Sequence, residues 1–83
     1  MNDKVYVNEI FNANIKKADV NKLLELSGSV ENGIVNVVQE NTVASAKSLI
    51  GLLNIDYEKP MKLLIQAYLN NEEMNEFKKW RVN

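Results

Sequence analysis

Apolar and polar residues follow two rhythms along the chain, one with a period of two and one with a period near 3.6, and their order predicts the elements. Lys4-Val5-Tyr6-Val7-Asn8-Glu9-Ile10 begins with β-branched and aromatic residues in alternation. That places Val5 and Val7 on one face and Tyr6 on the other, as in a half-buried strand. Asn12-Ala13-Asn14 breaks the pattern. From Ala18 the period changes, because Val20, Leu23, Leu24 and Ser27 fall at i, i+3, i+4 and i+7, a helix with a narrow apolar stripe. Asp19 suits the positive end of that helix. Gly28 and the Asn32-Gly33 pair tolerate positive φ, so the helix is expected to stop between Gly28 and Gly33.

Ile34-Val35-Asn36-Val37-Val38-Gln39 is too short and too β-branched for a helix and reads as a strand interior to a sheet. Glu40-Asn41 can reverse the chain into Thr42-Val43-Ala44, a short antiparallel partner. A short helix follows from Ser48 to about Asn54, with Ser48 as its cap. On it Leu49, Ile50 and Leu53 share one side while Leu52 points elsewhere. Residues 56–60 form a loop, and Pro60 belongs at the mouth of the next strand. That strand, Met61 to Tyr68, sends Met61, Leu63, Ile65 and Ala67 one way and Lys62, Leu64, Gln66 and Tyr68 the other. Asn71-Glu72-Glu73 opens a last helix, with Met74, Phe77 and Trp80 as its stripe and Lys78, Lys79 and Arg81 at its negative end. The order β-α-β-β-α-β-α predicts an α+β domain, a four-stranded antiparallel sheet with three helices on one face.

Length and composition narrow the function. The 83 residues are expected to form a single domain, and a chain this short hides only about 60 to 65% of its unfolded surface, so the core is small. Cysteine and histidine are both absent. No disulfide framework or thiolate metal site can reinforce the fold, and the expectation is no metal and no cofactor. Net charge is -1, with lysines scattered among the carboxylates, which speaks against direct nucleic-acid binding. The polar opening Met1-Asn2-Asp3-Lys4 is unlike a secretory signal, and no run approaches the roughly 20 apolar residues of a membrane span. The expectation is a cytoplasmic protein.

The chemistry of catalysis is missing too. Without histidine or cysteine neither a Ser-His-Asp nor a Cys-His nucleophile can be built, and the commonest acid-base residue is unavailable. The glycines at 28, 33 and 51 match neither nucleotide-binding fingerprint. Glu72 and Glu73 are helix neighbours that point in different directions and compensate the dipole rather than form a catalytic pair. These absences point away from an enzyme.

Ser45-Ala46-Lys47-Ser48-Leu49-Ile50-Gly51-Leu52-Leu53 resembles the segment around the regulatory serine of HPr, the small phosphocarrier of the bacterial sugar phosphotransferase system. Ser48 falls on that serine, and a weaker similarity runs through Leu64-Ile65-Gln66-Ala67 and Asn71-Glu72-Glu73. The resemblance implies the HPr fold, an open-faced β-sandwich with the element order read above. It also implies that Ser48 is a candidate phosphorylation site for an HPr-type serine kinase, and that Leu49, Ile50 and Leu53, with the adjacent Lys47, bind a protein partner such as a transcriptional regulator in carbon catabolite control. Family members carry phosphate on a histidine at the start of the first helix, followed by an arginine and a proline. Here the window is Asn14-Ile15-Lys16-Lys17-Ala18-Asp19-Val20 and holds none of the three. Asn14, Lys16 or Lys17 stands in place of the histidine, depending on the register, so the phosphoryl relay cannot run through this chain.

The expected function is therefore a non-catalytic HPr-like regulatory or adaptor protein, a monomer or weak homodimer. Each site residue also has a plainer role: Ser48 as a cap only, Leu49, Ile50 and Leu53 as core or dimer contacts, Lys16 and Lys17 as solvated charges. The alternative is a ferredoxin-like module that binds a small ligand or serves as an oligomerisation unit, since its periodicities are nearly the same.

Overall fold

The computed structural model describes residues 3–82. Met1 and Asn2, part of the polar opening, and Asn83 lie outside the described residues. The elements are β1 (Val5–Ala13), α1 (Val20–Gly28), β2 (Ile34–Gln39), β3 (Thr42–Ser45), α2 (Leu49–Leu53), β4 (Met61–Leu69) and α3 (Asn71–Lys78), with a single 3-10 turn, Lys17–Asp19, leading into α1. The strands form one sheet in the order β1-β4-β2-β3, antiparallel at every pairing. The expected α+β domain with three helices against one face is what is found, and β2 is interior as its apolar run required.

Alternation decides which face is covered. On β4 the side chains of Met61, Leu63, Ile65, Ala67 and Leu69 are buried. They meet Val20 and Leu23 of α1, Leu52 of α2 and Phe77 of α3 in one cluster. Each large member contributes roughly 1.5 to 3 kcal/mol. Among the described residues no helix lies over the opposite face, and Tyr6, Ile10, Ile34, Val43 and Tyr68 are exposed there. Four residues outside the regular elements, Ile15, Val30, Ala46 and Ile55, are also buried. They pin the loops to the core.

Five sequence expectations need correction. β1 runs past Ile10 to Ala13, because its ladder with β4 continues through Asn12↔Lys62 and Ala13↔Met61; on its other edge Val82 N–H donates to the Asn12 carbonyl at 2.9 Å, and Asn14 N–H donates to that of Trp80 at 2.7 Å. α3 opens at Asn71 as expected, but its cap is the preceding residue, Asn70. Its side chain accepts from Glu73 N–H at 2.8 Å while the Glu73 carboxylate accepts from Asn70 N–H at 3.0 Å, a reciprocal capping box. β3 and β4 each extend one residue further than expected, to Ser45 and Leu69. Finally, neither Gly28 nor Gly33 adopts positive φ; Asn32 does so, at 50°, and Glu40 in the β2–β3 turn at 53°. Gly33 is needed for another reason, since a Cβ there would overlap Ala67 Cβ and lie 3.1 Å from its Cα.

Candidate protein-docking site

α2 is a helix of five residues, too short to persist by propensity alone. It is held at both ends. Ser48, in extended conformation, accepts from Gly51 N–H through Oγ at 3.1 Å, which satisfies one of the free donors of the first turn. At the other end Asn54 N–H closes on the Gly51 carbonyl at 3.1 Å, and the Tyr57 hydroxyl donates to the carbonyl of Leu52. The Leu52 side chain, fully buried, is the anchor that fixes the helix on the sheet. Gly51 lies close over β3, where a Cβ would stand 3.5 Å from that of Ala44.

With one leucine committed to the core, the remaining aliphatic side chains turn outward. Leu49 is 45% exposed, Ile50 76% and Leu53 59%. Isolated apolar residues on a surface are ordinary, but three on adjacent positions of one short helix make a contiguous patch. Ser48 is exposed at its edge.

Lys47 is placed differently from its neighbours. Its Nζ donates to the Val30 carbonyl at 2.7 Å and its N–H donates to Ser45 Oγ at 3.2 Å, so the side chain straps the start of α2 to the loop after α1. Lys47 is engaged within the chain rather than offered at the patch.

The residues at the start of α1 join the patch through a cavity of about 550 Å³. Asn14, Lys16 and Lys17 line one wall, and Leu53 lines the other with the loop residues Ile55, Asp56, Tyr57 and Glu58. Leu53 thus belongs to both features. Lys16 N–H donates to the Asp19 carboxylate at 2.9 Å, which sets the turn that carries both lysines. Neither lysine forms an ion pair among the described residues. Burial raises the pKa of the Tyr57 hydroxyl above its ordinary value, so it stays a donor to Leu52 through neutral pH.

Comparison with family models, with curated proteins and with solved structures finds no match. Among the described residues there is no group of three or more metal-ligating side chains, and no helix is long and apolar enough to cross a membrane.

Two residues that shape this surface escaped the sequence reading. Gln39 is buried and holds the far wall of the cavity: its Nε2 donates to the Asp56 carbonyl at 2.7 Å and its Oε1 accepts from Asp56 N–H at 2.9 Å. Parity was a signal for it, since Gln39 shares the inward phase of Val35 and Val37. Tyr57, the partner of Leu52, sits in an irregular loop and had no pattern to reveal it.

Proposed function

We propose that this chain is a non-catalytic regulatory or adaptor protein of HPr-like type, acting in the cytoplasm, which docks a protein partner through the exposed side of α2. The observation that carries this reading is the division of labour on α2: Leu52 holds the helix to the core while Leu49, Ile50 and Leu53 face solvent. A helix spent on packing alone would bury its larger apolar side. The partner fitting the resemblance is an HPr-type serine kinase or a transcriptional regulator, with the aliphatic patch as the desolvated centre of the interface and the lysines at the α1 start as part of its rim.

Ser48 is the switch in this proposal. A phosphate there would bring about two negative charges beside the Gly51 N–H that already donates to Oγ, so the modification is compatible with the helix and would change the charge beside the patch. An HPr-type serine kinase with ATP should add one phosphate to the wild type and none to Ser48→Ala, read by intact mass. Equal gain on both proteins would remove Ser48 from the mechanism, while docking is tested separately by Ile50→Glu, which should abolish partner binding with an unchanged circular dichroism spectrum.

A second reading draws on one observation, the cavity between Lys16 and Leu53: a module that takes a small charged ligand there. It requires that ligand binding perturb Tyr57 and Lys17 and leave Ile50 untouched.

A further inference from the structure

Among the described residues, eight of the ten exposed large apolar side chains fall into two groups, Val5 and Val82 standing apart. Leu49, Ile50 and Leu53 are on α2; Tyr6, Ile10, Ile34, Val43 and Tyr68 are on the uncovered face of the sheet. Cross-strand pairing arranges the second group in rows. Tyr6 faces Tyr68, Asn8 faces Gln66 and then Ile34, Ile10 faces Leu64 and then Asn36, and Asn12 faces Lys62 and then Val38 and Val43. A helix-covered sheet needs only one apolar face, so this second one is unexplained by the fold.

We propose that this face is covered by a second copy of the chain, packed sheet on sheet about a two-fold axis. Size is the first reason. Four strands about 4.8 Å apart and about seven residues long span roughly 20 Å by 23 Å, and the accessible surface of such a side-chain relief approaches the roughly 800 Å² per partner of a standard interface.

Charge is the second reason. The strand positions of this face carry one charged side chain, Lys62, and no carboxylate. Glu40 stands in the β2–β3 turn, on the small depression that Lys62 also lines. At the other end of β4 from Lys62, Tyr68 packs edge-on against Tyr6, ring centroids 5.2 Å apart. Lys62 and Tyr68 are thus separated by roughly 20 Å along one strand. A two-fold axis lying across the strands keeps β4 over β4 and reverses its direction, which seats each Lys62 on the partner's Tyr68 as a cation over an aromatic face. The two lysines stay far apart, and the neutral amides and aliphatic side chains fill the middle. A two-fold interface must be self-complementary, and this face is.

Sedimentation equilibrium of the full chain between about 10 µM and 1 mM tests the proposal. The expected result is a concentration-dependent approach to twice the 9.5 kDa chain mass, lost in Ile10→Glu and in Val43→Lys with native circular dichroism, and retained in Ile50→Glu. Lys62→Glu should weaken the dimer about fivefold or more, and Lys62→Arg should preserve it. A wild-type monomer throughout the range overturns the proposal, as does a dimer that survives both sheet-face variants. Loss of the dimer in Ile50→Glu alone would also overturn it, because the contact would then lie on α2. None of these outcomes depends on the docking reading of α2, which concerns the other side of the molecule.

Discussion

Gln39 and Asp56 are joined at both ends of one amide: Gln39 Nε2 donates to the Asp56 carbonyl and Asp56 N–H donates to Gln39 Oε1. A buried side chain thereby stands in for a strand partner and fixes the loop that walls the cavity beside Leu53. Replacing it removes two part-buried hydrogen bonds, each worth about 0.5 to 1.5 kcal/mol, and releases the loop. Gln39→Leu should lower stability in urea by about 2 to 3 kcal/mol and speed amide exchange at Asp56.

Ser27 gives the opposite expectation. It lies on the inner side of α1, fully buried, and its Oγ has no hydrogen-bond partner among the described residues. A buried hydroxyl without a partner costs about 1 to 3 kcal/mol. Ser27→Ala keeps the volume close and removes that cost, so the variant should be more stable by about 1 kcal/mol; the urea midpoint reads it.

Gly33, the residue before β2, and Ala67 of β4 make a steric pair. A methyl group on Gly33 has nowhere to go except into Ala67. Gly33→Ala should therefore cost about 1 to 3 kcal/mol through overpacking. Adding Ala67→Gly should recover part of that loss, and the coupling in a double-mutant cycle separates collision from backbone entropy.

The tie from Tyr57 to the Leu52 carbonyl predicts an alkaline weakness. Burial raises the folded-state pKa of Tyr57 above its ordinary value near 10, so between the unfolded and folded values the unfolded chain loses this proton first. Stability is complete below the unfolded pKa and falls as pH rises through that window. Tyr57→Phe should cost about 1 kcal/mol at neutral pH and flatten the alkaline decline, as measured by urea unfolding at a series of pH values.

Much of this fold is legible in the sequence wherever a local rhythm controls burial. β4 alternates from Met61 onward and buries the phase it announced, and the spacing of Leu49, Ile50 and Leu53 against Leu52 separates the outward side of α2 from its anchor. Legibility fails where the cause is distant in sequence. The last residues of β1 are extended because β4 pairs with them on one edge and Trp80 and Val82 bond on the other, and nothing between Asn12 and Asn14 reveals that. Ile15, Val30 and Ile55 are single apolar residues in loops without a period, yet all three are buried. The same limit applies to the site: Ser48 was readable as a cap, whereas the engagement of Lys47 with Val30 depends on where the α1–β2 loop comes to rest.

The central claim, docking through α2, is tested most directly by a photoactivatable crosslinking residue placed at Ile50 and, as a control, at the exposed Glu72 of α3. After illumination in the native cell, the account predicts a discrete adduct heavier than two chains from position 50, none from position 72, and loss of that adduct when Leu53→Glu is added. An absence of adducts from position 50, or the same adducts from both positions, would contradict it.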